Sequence, residues 1–271
     1  MEKQKKLISI VIPAYNEEEC IDSLYSEITK VIDKINKYDF EVIIVEYGSV
    51  DKSYEKLLEV NKKDQRFKIF KLTRNCGGDG GISAGLQYAN GDAAIITYAD
   101  LEDPPSLFRD FIKKWEEGYY HVYGITKKRQ GSLLRKINSK IFYYIINKLT
   151  GNIIPKNVAD FRLIDKVVYK KFNDLQEKNK FLRGLFSWLN YKSIGVEYNR
   201  NTVRAGGESK AKTFTVISLA LKGIFSFSTF PLRMASIIGI LTSMISLLLA
   251  VYFIIQYFTF GSFPFSGFGT I

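Results

Sequence analysis

A chain of 271 residues, 46% of them hydrophobic, can bury a full core, and nothing in its composition indicates disorder or a fibrous repeat. Two cysteines, Cys20 and Cys76, are too few for a disulfide framework or a cysteine-based metal site, and both are expected as ordinary thiols. The net charge of +11 invites a nucleic-acid partner, but the chain carries no zinc-finger spacing, RNP sequence or basic-zipper heptad, so no nucleic acid is expected.

The N-terminal run MEKQKKLISIVIP is too short and too β-branched for a signal peptide and leads directly into a predicted core strand, Leu7 to Ile12. A helix is expected to begin after Asn16, a good N-cap, with Glu17, Glu18 and Glu19 against its positive end. Further β-branched or aromatic runs follow at Phe40 to Glu46, Arg66 to Leu72, Ala93 to Tyr98 and Tyr119 to Gly124, with helical patterns between them. The glycines at 77, 78, 80 and 81 match neither G-x-G-x-x-G nor a Walker sequence and are expected to form a flexible loop. Pro104 and Pro105 announce another helix, which closes at Gly118, and His121 lies in an apolar stretch as a core or interface residue. Alternation of strand and helix predicts an α/β fold, Rossmann-like, with a mostly parallel sheet covered by helices on both faces.

Towards the C-terminus the solvent changes. No charged residue occurs from Met234 to Ile271, and the stretch 234–258 forms a helix long enough to cross a hydrocarbon core of about 30 Å. The remainder, broken by Gly261, Pro264 and Gly267, is either a re-entrant stub or the start of an incomplete second span. Basic residues concentrate before the span, and so the large domain is expected on the cytoplasmic side of the inner membrane. The expected organisation is a cytosolic domain over 1–208, amphipathic juxtamembrane helices over 209–232 and a transmembrane region over 233–271. Arg129, Arg135, Arg204 and Lys210 are candidates for clamping phosphates near the bilayer, or for contacting anionic headgroups at about 1 kcal/mol each.

Ligands bind such sheets at the carboxyl ends of the strands. Pro13, Tyr15, Asn16 and Glu17 fall there after the first strand, Glu46, Gly48 and Ser49 after the second, and Asp100, Glu102 and Asp103 after the fourth. A single carboxylate in such a turn often only caps a helix, but three carboxylate-bearing loops on one edge point to a site.

The stretches SIVIPAYNEEE, EVIIVEYGSVDKS, LTRNCGG, ISAGLQYANGD, YADLEDPP, DFRLID, NKFLRGLFSW and GIFSFSTFPLR, in this order, resemble family 2 glycosyltransferases of the GT-A fold. More narrowly they are similar to the polyprenyl-phosphate branch, which includes dolichyl-phosphate mannose synthases and bacterial undecaprenyl-phosphate glucosyltransferases. The resemblance implies that Pro13, Tyr15, Glu17, Glu46, Ser49 and Asp100 bind the nucleotide-sugar donor. It also implies that Asp100 and Glu102 hold Mg²⁺ or Mn²⁺ against the diphosphate, and that Asp160 and Arg162 act with Asp100 at the reacting centre. Arg162 would bind phosphate through its planar fork. The implied reaction is inverting transfer of one hexose from a UDP-glucose or GDP-mannose type donor to undecaprenyl or dolichyl phosphate, by a homo-oligomer. Three carboxylate positions depart from the pattern: Glu46 and Tyr47 stand where it has two aspartates, and Tyr98 where it has the first aspartate of Asp-x-Asp. Gly78 stands where it has a lysine. A second reading is therefore a catalytically impaired paralogue serving as a nucleotide-sugar-binding or assembly subunit.

Overall fold

The computed structural model describes residues 5–127, 158–177, 180–201 and 230–260. The chain divides into two compact units, 1–226 and 227–271. In the first, β1 (Lys6–Ala14), α1 (Ile21–Ile32), β2 (Tyr38–Glu46), α2 (Ser53–Lys63), β3 (Phe67–Lys71), α3 (Gly77–Tyr88) and β4 (Ala93–Ile96) alternate strictly. A 3₁₀ turn at Pro105–Leu107 leads into α4 (Phe108–Glu116) and β5 (His121–Thr126). Then come β6 (Val158–Asp165), α5 (Lys166–Asn173), α6 (Leu182–Trp188) and β7 (Ser193–Tyr198).

The seven strands form one sheet in the order β3-β2-β1-β4-β6-β5-β7. All neighbours are parallel except β6, which runs antiparallel between β4 and β5. Central strands covered on both faces need apolar residues throughout, and β1 meets this with Ile8, Ile10, Val11 and Ile12 all fully buried. Its even positions join the core under α1 and α4, where Ile21, Leu24 and Ile28 meet Phe108, Phe111 and Trp115. On the opposite face α3 lies so close that a Cβ on Gly85 would sit 2.5 Å from Val11 Cγ1. That contact requires a glycine.

Two expectations are corrected. Asn16 does not cap α1, because its backbone is left-handed (φ 54°) and its Oδ1 accepts the Val50 N–H at 2.9 Å, so the helix starts only at Ile21. The glycines at 77, 78, 80 and 81 are not a loop but the opening turns of α3, where they allow close approach to Tyr47, Pro13 and Tyr98. His121 is buried, as read from sequence.

The second unit contains α7 (Phe230–Phe260). Its stretch Leu232–Thr259 has a mean hydropathy of 2.5, and its apolar side chains are exposed along its length. At 1.5 Å per residue these 28 residues outreach a hydrocarbon core of about 30 Å. The expected amphipathic stretch before it, the region after Phe260, and the candidates Arg129, Arg135, Arg204 and Lys210 lie outside the described residues.

Candidate active site

Strand order reverses between β1 and β4, which opens a crevice at their carboxyl ends. On its β2 side, two loops are stitched together by side chains. Ser49 Oγ accepts the Asn16 N–H at 3.0 Å, Ser53 Oγ accepts the Glu17 N–H at 2.8 Å, and Glu18 Oε2 accepts the Lys52 N–H at 2.9 Å. Glu17 is buried, and its carboxylate accepts the Cys20 thiol at 3.2 Å. Glu46 is fully buried: Oε1 accepts the Ser49 N–H, while Oε2 has no partner among the described residues. A buried acceptor without a donor is costly unless something supplies one. Tyr15 and Tyr47 stack beside it, centroids 5.3 Å apart and planes within 16°. Gly48 (φ +90°) lets the Arg74–Asn75 backbone approach, since a Cβ there would lie 3.0 Å from Asn75 N.

The loop after β4 is pinned from a distant part of the chain. Arg200 donates from Nε to Asp103 Oδ1 at 2.9 Å and from Nη1 to Glu102 Oε2 at 2.8 Å, and the Tyr198 hydroxyl donates to buried Asp103. Asn201 Nδ2 donates to the Leu101 carbonyl at 2.8 Å, holding Leu101 in its left-handed conformation (φ 55°). Asp100, half-buried at the crevice, accepts the Glu102 N–H on Oδ1 at 3.2 Å. The predicted metal pair thus stands at the mouth of β4, with Glu102 shared by Arg200. Among the described residues no three His, Cys, Asp or Glu side chains form a metal cage. One or two carboxylates completed by substrate phosphates suffice for a hard cation, so this donor set fits an ion that arrives with a diphosphate.

The β6 side carries the charge. Arg183, on the first turn of α6, grips Asp160 with two bonds of 2.6 Å, Nε to Oδ1 and Nη2 to Oδ2. Burial opposes the Asp160 charge, but the guanidinium groups of Arg183 and Arg162 outweigh it and hold the carboxyl below the usual range. The fork of Arg162 is engaged in part by the backbone of its own strand. Only 1% exposed, it donates from Nη2 to the Ala159 carbonyl at 3.0 Å and from Nε to the Asp160 carbonyl at 3.1 Å. Its guanidinium also lies 5.2 Å from the Phe186 ring centre. Nε and Nη2 brace the strand, while Nη1 is buried with no partner among the described residues and remains able to donate to a ligand.

Two members of this cluster were missed by sequence reasoning, Asp79 and Arg183. Asp79, in the glycine-rich opening of α3, accepts the Leu182 N–H, and burial and the nearby Asp160 push its carboxyl up to about 7. Tyr98 faces the same cluster. Burial, then Asp160 and Asp79, raise its phenol well above the usual range, so it stays a neutral donor. The only available signal was that Arg183 falls in one of the quoted motif stretches and Asp79 directly follows another, since no local pattern says that α3 and α6 meet over β6.

Comparison with known proteins agrees with this architecture. Residues 9–172 match the model of glycosyl transferase family 2. An uncharacterised glycosyltransferase of Synechocystis is 38% identical over 255 residues, covering 94% of this chain and 80% of that protein. A bactoprenol glucosyl transferase of Shigella phage SfX is 35% identical over 257 residues, covering 94% and 83%. Among solved structures, glucosyl-3-phosphoglycerate synthase from Mycobacterium tuberculosis, in complex with Mn²⁺, UDP-glucose and phosphoglyceric acid, shares the fold. Its TM-score is 0.56 at 16% identity, over 81% of this chain and 77% of that one.

Proposed function

This chain belongs to glycosyl transferase family 2, and from that premise we propose that it moves one hexose from a nucleotide-sugar onto a polyprenyl phosphate at the cytoplasmic face of the inner membrane. One observation carries the reading. The Asp160–Arg183 pair of β6 and α6 lies within electrostatic reach of Arg200, which pins the carboxylate loop after β4, in a chain that also holds an apolar helix long enough to span a bilayer. The phage relative named for bactoprenol supports the lipid acceptor, and the solved relative with UDP-glucose and Mn²⁺ supports the donor class.

In this reading the stitched loops after β1 and β2 hold the nucleoside. Tyr15 and Tyr47 offer an aromatic face, and the unpartnered Glu46 Oε2 offers an acceptor to a base or ribose donor. Asp100, with Glu102 beside it, would hold Mg²⁺ or Mn²⁺, which when bound offsets the charge gathering on the diphosphate. The acceptor needs no general base, since a phosphomonoester is mostly dianionic at neutral pH. Its oxygen attacks the anomeric carbon, the bond to the diphosphate breaks with its electron pair on the leaving group, and the centre inverts. Asp160 faces the reacting carbon, where a fixed carboxylate stabilises developing positive charge. Arg129, Arg135, Arg204 and Lys210 are assigned to the acceptor phosphate or the headgroups around it, and a homo-oligomer is the proposed assembly. The intact Asp100, Asp160 and Arg183 argue against an inactive subunit.

Purified full-length protein with Mn²⁺ or Mg²⁺, polyprenyl phosphate and labelled UDP- and GDP-sugars is expected to give a labelled lipid with at least one donor, and Asp100→Ala to abolish it. Nucleotide binding without product for any donor would return the protein to the inactive-subunit reading.

A further inference from the structure

Asp160 sits on a buried strand at 14% side-chain exposure, where an ionised carboxylate is expensive unless paired. Of the two arginines within 4 Å of it among the described residues, Arg162 approaches the carboxylate no closer than 3.6 Å and uses its short bonds on carbonyls. Arg183 alone makes the parallel fork-to-fork contact, 2.6 Å on both oxygens. Such a contact fixes the carboxylate plane as well as its charge, because both atoms must meet the guanidinium edge together. It takes one lone pair from each oxygen and leaves the rest of the carboxylate available.

The arginine is itself held in place. The preceding N–H, of Leu182, donates to Asp79 on α3, so the turn that carries Arg183 is tied to the helix lining the donor side of the crevice. Behind it, Phe186 on the next turn of α6 packs on Phe172 of α5 (centroids 4.7 Å) and under the Arg162 guanidinium.

We propose that Arg183 is the positioning residue of the transfer reaction: it aims the Asp160 carboxylate and cancels enough of its charge for an acceptor phosphate to approach. With Arg183 present, the Asp160, Arg162 and Arg183 side chains together carry one net positive charge, and without it they are neutral. The lost group therefore changes two things at once, the geometry of Asp160 and the field met by an incoming phosphate. This rests on the reading of Asp160 as facing the reacting centre.

The test uses the full chain in nanodiscs, comparing wild type with Arg183→Ala and Arg183→Lys, each checked by melting temperature. A misplaced catalytic carboxylate typically loses about 100-fold in rate. Arg183→Ala is accordingly expected to lose about that factor in kcat/KM for the lipid phosphate, mostly in kcat. Added guanidinium ion is expected to restore part of the activity, with Arg183→Lys intermediate because a point charge cannot supply the fork. Independently of substrate, the ¹³C carboxyl signal of Asp160, identified by its absence in Asp160→Asn, is expected to titrate higher in Arg183→Ala than in wild type. No guanidinium rescue with an unmoved Asp160 titration in a variant that melts like wild type overturns the proposal. If wild type itself transfers nothing, the acceptor reading falls, and the carboxyl titration alone decides the place of Arg183.

Discussion

Replacing Asp79 by asparagine tests the electrostatics of the cluster most directly. The folded carboxyl titrates at about 7 instead of its ordinary 3.8, first because it is half-buried and then because Asp160 repels its charge, with Arg183 and Arg162 pulling the other way. An acid whose folded value is raised binds its proton more tightly in the native state. The native state therefore loses stability as pH climbs from about 4 to about 7, and the loss is complete above that. At about 1.4 kcal/mol per pH unit, the span from 3.8 to about 7 sets a ceiling of about 4 kcal/mol at pH 8. Asparagine keeps an oxygen for the Leu182 N–H and has nothing to ionise. Thermal unfolding of the full chain at pH 5, 6, 7 and 8 is expected to show Asp79→Asn gaining over wild type as pH rises, with the smallest difference at pH 5. A difference that stays constant with pH, or is largest at pH 5, would refute the reasoning.

Two further predictions concern the scaffold. Glu41, 3% exposed, accepts from Ser9 Oγ at 2.6 Å, Asn90 N at 2.8 Å and Lys68 Nζ at 2.7 Å, so Glu41→Ala removes three bonds, one of them to the buried Ser9, and is expected to cost about 2–3 kcal/mol in denaturant unfolding. Burial works against its charge, yet these bonds hold its carboxyl below the usual value; its contribution is full above the ordinary carboxylate range and fades as pH falls through the folded value, so the Glu41→Ala deficit should shrink in acid. Gly85→Val would drive a side chain into Val11 and Val45 at 2.5 and 3.2 Å, and the melting temperature is expected to fall by several degrees, as for an overpacking cost of about 1–3 kcal/mol.

What the sequence discloses follows the range of the interaction. The strands β1, β2 and β4 announce themselves because a doubly covered parallel strand must be largely apolar, and Pro104 to Gly118 brackets α4 because those residues restrict the backbone locally. The apolar helix is legible for the same reason, since its solvent acts on every residue. By contrast β6 inserts between β4 and β5, out of chain order and antiparallel, and no short window of Val158–Asp165 contains that fact. Asn16 has the chemistry of a helix cap, but its oxygen was taken by the backbone of Val50, 34 residues away. The pairing of Arg183 with Asp160 likewise exists only once α6 has packed against β6. The sequence shows the two residues; their contact is a tertiary fact.

The departures at Tyr98 and Gly78 look like separate losses in sequence, an anion and a cation missing from the pattern the chain resembles. In space they are one change. A Cβ on Gly78 would lie 3.2 Å from the Tyr98 hydroxyl and 3.3 Å from its ring, so any side chain at 78 competes with the phenol for the same volume. An aspartate at 98 would leave that volume to a lysine from 78, with their charges opposed. Exchanging both leaves the net charge unaltered and fills the space with a neutral ring. Tyr47 shows the same device one turn on, where a Cβ at Gly81 would lie 3.1 Å from its ring. One fewer carboxylate at 47 means less repulsion towards a diphosphate and a lipid phosphate brought together. In the proposed reaction, Asp100 and Asp160, which the two tyrosines leave in place, carry the negative charge.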